Sequence, residues 1–345
     1  YLIANRISGK KTAIFSSLFF ALTPFNIFYS RVVLPEPLMI TLFLTSFYLL
    51  LRSKILPSAV FLGLALLIKP YAIFFTLPYL VVFWQQWQKK ELKLKQLFIY
   101  AVIALAPFAF WRNWISNFPS GIPAFTWLFN QNGIRFRPAW FRWLFAERLG
   151  KLILGYWASL FLVLGLLKKP SKPLSWSYPL FGFGILIYFS VLASGNITHD
   201  YYQSIIMPFI CLLLGRGLVA LTSLPKSSFS RLTLWATAFL VTAFSFAFSW
   251  YEIKGLYQIN NPSIIAAGQA VDNLVPKDAR VVAPYMGDTA FLYQTNRYGW
   301  PLLTHDIENL VEKGATHYVS VNYDDRTNQI IANPDFSILE QNPDF

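Results

Sequence analysis

Apolar runs long enough to cross, or nearly cross, a bilayer occur at about residues 12–30, 36–52, 56–68, 71–87, 97–114, 150–167, 177–194, 202–222 and 232–250. A spanning helix needs about 20 residues, with about 17–25 tolerated. The run 56–68 is short and is closed by Lys69-Pro70. As a single helix, 56–87 would be about 48 Å long at about 1.5 Å per residue, against a hydrocarbon core of about 30 Å. It reads instead as a hairpin that turns at Lys69-Pro70. The pattern predicts an α-helical polytopic membrane bundle of about nine spans over residues 1–254.

After residue 254 the period changes. Ser263–Val275 reads as a helix, Arg280–Tyr285 as a strand, Asp288–Thr295 as a helix, Asp306–Lys313 as a short helix stopped by Gly314, and His317–Asn322 as a strand. Phe336–Leu339 reads as a further strand. Alternating helix and strand predicts a small parallel α/β domain over 255–345. It holds no Gly-rich phosphate loop and no metal-ligand spacing, and it reads as an accessory lid or acceptor-docking module.

Composition agrees. The 345 residues are 55% hydrophobic and 13% charged, against about 25% charged in an ordinary soluble domain. Disorder needs the opposite balance and is excluded. The one cysteine, Cys211, lies in an apolar run, which excludes a disulfide scaffold. The chain opens on Tyr1 rather than Met and reads as a fragment or a trimmed product, with no cleavable signal nearby.

Charge gives the expected orientation. Residues 1–254 hold 24 Lys and Arg against 5 Asp and Glu, whereas 255–345 hold 5 against 11. One set of loops carries Arg6, Lys10, Lys11, Arg52, Lys54, Lys89, Lys90, Lys93, Lys95, Lys168, Lys169, Lys172, Lys226 and Arg231, with Arg216 near a helix end. The other set has Arg31, Lys69 and Lys254 plus a long segment, 112–151. Cations clustered between apolar runs follow the positive-inside rule rather than a nucleic-acid footprint. The expectation is a multi-pass protein of the cytoplasmic (inner) membrane, N-terminus cytoplasmic and C-terminal domain extracytoplasmic. Trp84, Trp87, Trp111, Trp114 and Trp250 sit near predicted helix ends, as interfacial anchors do.

Polar chemistry gathers in four outward loops. In Ser30–Pro37, Glu36 is one of only five acidic residues in the first 254. It reads either as a functional carboxylate at membrane depth or as a dipole-favoured first-turn residue before Pro37. Lys69, at the hairpin tip, reads as a fixed cation for a phosphate or as a snorkelling side chain. The segment 115–149 mixes Arg135, Arg137, Arg142 and Arg148 with Trp127, Phe129, Phe136, Trp140, Phe141, Trp143 and Phe145. It predicts an amphipathic helix in the headgroup layer, or a groove gripping a lipid-linked phosphate. The fourth loop, Gly195–Tyr202, holds His199, the only histidine of the membrane part. There is no HExxH, CxxC, Walker loop or GxSxG. The spans lack the buried charges of a pump, and no inverted repeat is evident. A lipid-linked glycan transporter or flippase, or a non-catalytic envelope scaffold, stays open as an alternative.

Three stretches carry a resemblance. They are Ala21-Leu22-Thr23-Pro24 with Tyr29-Ser30-Arg31 and Pro35-Glu36-Pro37-Leu38; Leu62-Gly63-Leu64-Ala65-Leu66-Leu67-Ile68-Lys69-Pro70; and His199-Asp200-Tyr201-Tyr202 leading to Met207-Pro208. In these, and in layout, the chain resembles the GT-C superfamily of polytopic membrane glycosyltransferases, in the bacterial branch of protein O-mannosyltransferases and the lipid A aminoarabinose transferase. The resemblance implies transfer of a sugar from a polyprenyl-phosphate donor to an acceptor hydroxyl of a protein, lipid or glycan at the outer face. It implies that two further spans precede Tyr1, with the principal catalytic carboxylate on the loop between them. Glu36 then matches the family's second acidic position. Arg31, Lys69 and His199 match polar positions around the cavity. Arg135, Arg137 and Tyr202 join them as substrate-binding candidates. No cofactor is certain, since some members use a divalent cation and others do not.

Overall fold

Prolines cut the apolar runs into shorter helices than hydropathy alone predicts. The computed structural model describes residues 1–119, 122, 125–225, 227, 229–258, 261–303 and 306–342. Ser120, Gly121, Pro123 and Ala124 of the long segment, and Lys226 of the basic loops, lie outside the described residues. The chain divides into two units, Tyr1–Lys254 and Gly255–Phe345.

In the first unit α1 (Leu2–Ser8) and α2 (Lys10–Leu22) meet at Gly9, whose φ is +88°. Pro24 opens α3 (Pro24–Tyr29), a position that suits its fixed φ and missing N–H. Next come α4 (Glu36–Leu51) and α5 (Ile55–Ile68). The backbone is extended at Lys69, and Pro70 starts a 3-10 turn, Pro70–Phe75, before α6 (Leu77–Gln88). Then follow α7 (Leu94–Ile115), α8 (Trp127–Asn130), α9 (Pro138–Phe141) and a π-helix over Arg142–Ile153. The unit closes with α10 (Ser159–Leu167), α11 (Ser177–Val191), α12 (Ala193–Thr198), a 3-10 stretch Asp200–Ile206, α13 (Met207–Thr222) and α14 (Arg231–Ile253).

The nine expected spans are corrected. Among the described residues, four helical stretches are long and apolar enough to cross a bilayer: Leu94–Ile115, Pro173–Val191, Asp200–Thr222 and the one opening at Arg231. The runs 12–30, 36–52, 56–68, 71–87 and 150–167 fold instead into α-helices of 6 to 16 residues. Hydropathy counts apolar side chains but does not register the breaks at Thr23-Pro24 and Gly155-Tyr156. Membrane character survives the correction. Helix α7 buries only Tyr100 and Ala104, while Phe98 is 70% and Phe110 72% exposed. A helix apolar on all sides and left uncovered by protein is suited to lipid.

The expected amphipathic helix over 115–149 is also corrected. Asn132 and Gly133 both take positive φ and break the chain between α8 and α9. Several short pieces replace one helix.

Close packing uses small residues, as bilayer-spanning helices do. A methyl group at Gly217 of α13 would fall 1.8 Å from the Phe161 carbonyl oxygen of α10. Hydroxyls add a polar seam: Tyr79 donates to Ser46 Oγ at 3.1 Å, Ser46 donates to the Ser58 carbonyl at 2.7 Å, and Ser58 and Tyr100 hydroxyls meet at 3.1 Å. The helices alternate in direction, so the bundle has two chemically distinct ends. Ser53 donates to Glu91, Ser8 and Tyr178 hydroxyls meet, and Arg216 donates to the carbonyls of Gly165 and Lys168. These links, with the last turns of α6 facing residues 170–176 across a shared groove, gather the loops bearing Arg52, Lys54, Lys89–Lys95 and Lys168–Lys172 at one end, here the lysine end. Glu36, Lys69 and residues 199–202 lie at the other.

The second unit is a three-stranded parallel sheet with helices. Its elements are α15 (Pro262–Leu274), β1 (Arg280–Val282), α16 (Ala290–Gln294), β2 (Tyr298–Trp300), α17 (Ile307–Glu312), β3 (His317–Tyr318) and α18 (Asp325–Ala332). The sheet order is β2-β1-β3, with Val281 opposite Gly299 and His317. Alternation along β1 sends Val281 and Val282 to opposite faces. Val281 packs with Ile264, Ala267, Val271 and Phe291, and Val282 with Ile307, Leu310 and Ala315. The expected strand at Phe336–Leu339 is not formed. Phe336 packs its ring against the Val282 face, while Ile338 and Leu339 are exposed and the backbone joins no ladder.

Arg297 holds this unit together internally. Its side chain is fully buried and donates to the Asp272 carboxylate at 2.6 Å and to the carbonyls of Pro276 and Val275. Lys277 reaches the same carboxylate at 2.5 Å. Hydrogen bonds from Lys277 and Arg297 hold the Asp272 carboxyl down at about 2, below the ordinary value of about 3.9. A depressed folded-state pKa stabilises the fold above the unfolded value and loses that effect as the proton binds. Acid unfolding of 255–345 is therefore expected to steepen between about pH 4 and pH 2. Asp272→Asn should flatten that interval, as followed by amide exchange of α15, and an unaltered profile would refute the linkage.

Candidate functional site

Glu36 occupies the first turn of α4, set there by Pro35 and Pro37, and it is 2% exposed. A buried carboxylate demands a counter-charge. It receives one from Lys69, which the Lys69-Pro70 break places just past the end of α5. The two form an ion pair whose side chains are 3% and 18% exposed. Only Glu36 Oε1 is engaged. Oε2 is buried and has no protein partner, so it is a ready hydrogen-bond acceptor.

Aromatic rings wall the lysine. Its ammonium lies 5.7 Å from the Tyr71 ring centroid, 5.4 Å from Tyr201 and 5.2 Å from Tyr202. Three rings within about 6 Å give the ammonium a favourable quadrupole field while exposing one side. The His199 ring stacks on Tyr201 at 5.3 Å and meets Trp127 edge-on at 5.6 Å. Partial burial pushes the His199 imidazole below its ordinary value, against the pull of Asp200. The ring is thus neutral near pH 7 and carries both a donor and an acceptor nitrogen. Beneath them the loop is tied down. Tyr188 donates to the Tyr202 carbonyl at 2.9 Å, and Gln203 donates to the carbonyl and side-chain oxygens of Asn196, each at 2.9 Å.

A second ion pair closes the group. Arg148, from the π-helix, pairs with Asp200 and donates to the Ile197 carbonyl at 2.8 Å. Its guanidinium stands 5.5 Å from the Trp143 ring.

The structure thus brings together Glu36, Lys69, His199 and Tyr202. Arg31, Arg135 and Arg137 do not join them by any hydrogen bond or ion pair among the described residues. Arg31 and Arg137 are exposed, and Arg135 is half-buried with Nε inside the protein and unpaired. Arg135 lies in the segment 131–136, which is anchored to α12 by the Gln131 N–H donating to Ser194 Oγ at 2.7 Å. Arg148, Asp200, Tyr71 and Tyr201 were not among the sequence-derived site residues. The signal that could have found Arg148 is the scarcity of acid: with five acidic residues in 254, Asp200 between two apolar runs needs a cation, and in the structure it is half-buried. For a divalent cation the donor set is poor. Among the described residues no three His, Cys, Asp or Glu side chains come together, and the carboxylates of this site already face Lys69 and Arg148.

Comparison with known proteins found no matching family model, no matching curated protein and no matching solved structure.

Proposed function

We propose that the chain acts as a membrane glycosyltransferase, moving a sugar from a polyprenyl-phosphate donor to an acceptor hydroxyl at the outer face of the cytoplasmic membrane. The observation that carries this reading is the Glu36–Lys69 pair, half open and ringed by Tyr71, Tyr201 and Tyr202. In the reaction the acceptor oxygen bonds to the anomeric carbon and gives its proton to a carboxylate general base, the carbon–oxygen bond to phosphate breaks, and the polyprenyl phosphate leaves with the electron pair. The negative charge it gains is stabilised by a fixed cation in a site poor in water. Lys69 supplies that cation, and Glu36 orients it. The free Oε2 of Glu36 accepts a hydrogen bond from a sugar or acceptor hydroxyl. The tyrosine and histidine rings give the sugar a stacking wall.

Charge placement also favours transfer over transport. Every ion pair of the first unit among the described residues lies at the Glu36 end: Glu36–Lys69, Arg148–Asp200, Glu147 with Arg142 and Lys151, and Lys151–Glu252. A flippase needs polar groups spaced along the path. The full-length protein, reconstituted in vesicles with a radiolabelled polyprenyl-phosphate sugar, is expected to give a covalent sugar–acceptor product and free polyprenyl phosphate. Movement of label across sealed vesicles without a product would replace the transferase reading with transport.

A further inference from the structure

At the lysine end, away from the site above, a groove of about 730 Å³ opens between the last turns of α6 and the segment 170–176. Its apolar wall is Leu80, Val81, Trp84 and Trp176, and its polar wall includes Gln85, Gln88 and Lys172. Trp84 is 62% and Trp176 57% exposed. Two indoles facing outward at a helix end mark the depth at which headgroups meet acyl chains. The volume falls within the range of about 300–1,000 Å³ for small-molecule sites.

Charge identifies the occupant. Lys168 and Lys169 directly precede the lining residues, and Lys89 and Lys90 directly follow α6. All four, with Lys172, are exposed. None has a carboxylate partner among the described residues; Glu91, the one acid of these loops, takes a hydrogen bond from Ser53. Beneath the loop lies a further cation with no carboxylate partner among the described residues. Arg216 is 3% exposed, sits 4.3 Å from the Tyr178 ring centroid and is satisfied by the carbonyls of Gly165 and Lys168. Partial burial, with Arg216 nearby, holds the Lys168 ammonium below its ordinary value. An anion placed here would relieve that repulsion. Lysine clusters beside spanning helices are attracted to acidic lipid headgroups.

We propose that this groove seats one anionic phospholipid. Its phosphate lies among Lys172, Lys168, Lys169 and the amides of Gln85 and Gln88, and its acyl chains lie along Leu80, Val81 and Trp84. The inference needs only that the bundle sits in a bilayer, and it stands or falls apart from the transferase reading.

The test is native mass spectrometry of the full chain, extracted from vesicles holding equal phosphatidylglycerol and phosphatidylcholine. Retained phosphatidylglycerol is expected to exceed phosphatidylcholine by about 100-fold, from three lysines near the surface. The variant K168Q/K169Q/K172Q should lose most of that preference. K10Q/K11Q/K54Q, which removes the same charge from loops that do not line the groove, should keep it. Inorganic phosphate at millimolar concentration should fail to displace the lipid, because it cannot fill the apolar wall. Equal retention of the two lipids, equal loss in both triple variants, or displacement by phosphate would each overturn the proposal.

Discussion

Replacing Lys69 by Met is expected, on the proposed transferase reading, to lower sugar transfer at least about 100-fold, in line with the loss of one preorganised charge at a reacting centre. Stability should fall as well. Glu36 is 2% exposed, and losing its partner strands a buried charge, a change that costs about 3–5 kcal/mol. The two effects can be separated. In the double variant Glu36→Gln/Lys69→Met no charge is stranded, so the melting temperature should return close to that of the parent. Transfer should stay at the level of the single variant, because the cation is still missing. A double variant that is stable and transfers sugar at the parental rate would remove this pair from the chemistry. Lys69→Arg is a finer probe. A planar fork does not fit the space of a compact ammonium among three rings, so partial activity is expected there.

The second large effect lies in the other unit. Arg297→Met is expected to destabilise residues 255–345 strongly. Its buried guanidinium donates to Asp272 and to several backbone carbonyls, among them Pro276, Val275 and Asn296. Methionine keeps the bulk but leaves those acceptors dry. Each buried acceptor left without a donor costs about 1–3 kcal/mol. A unit of this size is stabilised by about 5–14 kcal/mol in total, at about 0.05–0.15 kcal/mol per residue. Hydrogen exchange read by mass spectrometry should show α15 and α17 losing protection while α13, in the first unit, keeps its own. Unchanged protection across α15 and β1 would mean that the apolar faces of the sheet suffice.

Much of this architecture is readable from local sequence, and the exceptions have physical causes. The start of α4 follows from Pro35-Glu36-Pro37, and the break at Lys69 from the proline behind it. Long uninterrupted runs became the helices at Leu94–Ile115 and Arg231–Ile253. The second unit's parallel layer was visible in its alternation, although β2 and α18 were missed. The α18 signal was present: Asp324 caps it by accepting from the Thr327 N–H at 2.8 Å. What local pattern cannot carry is pairing at distance. Glu36 and Lys69 stand 33 positions apart, and Gly217 meets Phe161 across two helices. Local sequence favours Arg135 and Arg137 over Arg148 among the cations of one aromatic-rich segment. The turn at Asn132-Gly133 and the winding after Arg142 decide which of them reaches the loop at 199–202.

That winding has a consequence of its own. Over Arg142–Ile153 the backbone closes rings wider than those of an ordinary helix, with the Leu154 N–H donating to the Leu149 carbonyl five residues back. A wide coil accommodates an extra residue per turn. A deletion before Arg148 that the coil does not absorb by tightening would swing the side chains that follow round by one residue's step, about 100° in an ordinary helix. Arg148 would leave Asp200, and Lys151 would leave Glu252, with no substitution at either contact. In this segment the count of residues, as much as their identity, sets where the charges point, and it is there that insertions and deletions should be least tolerated.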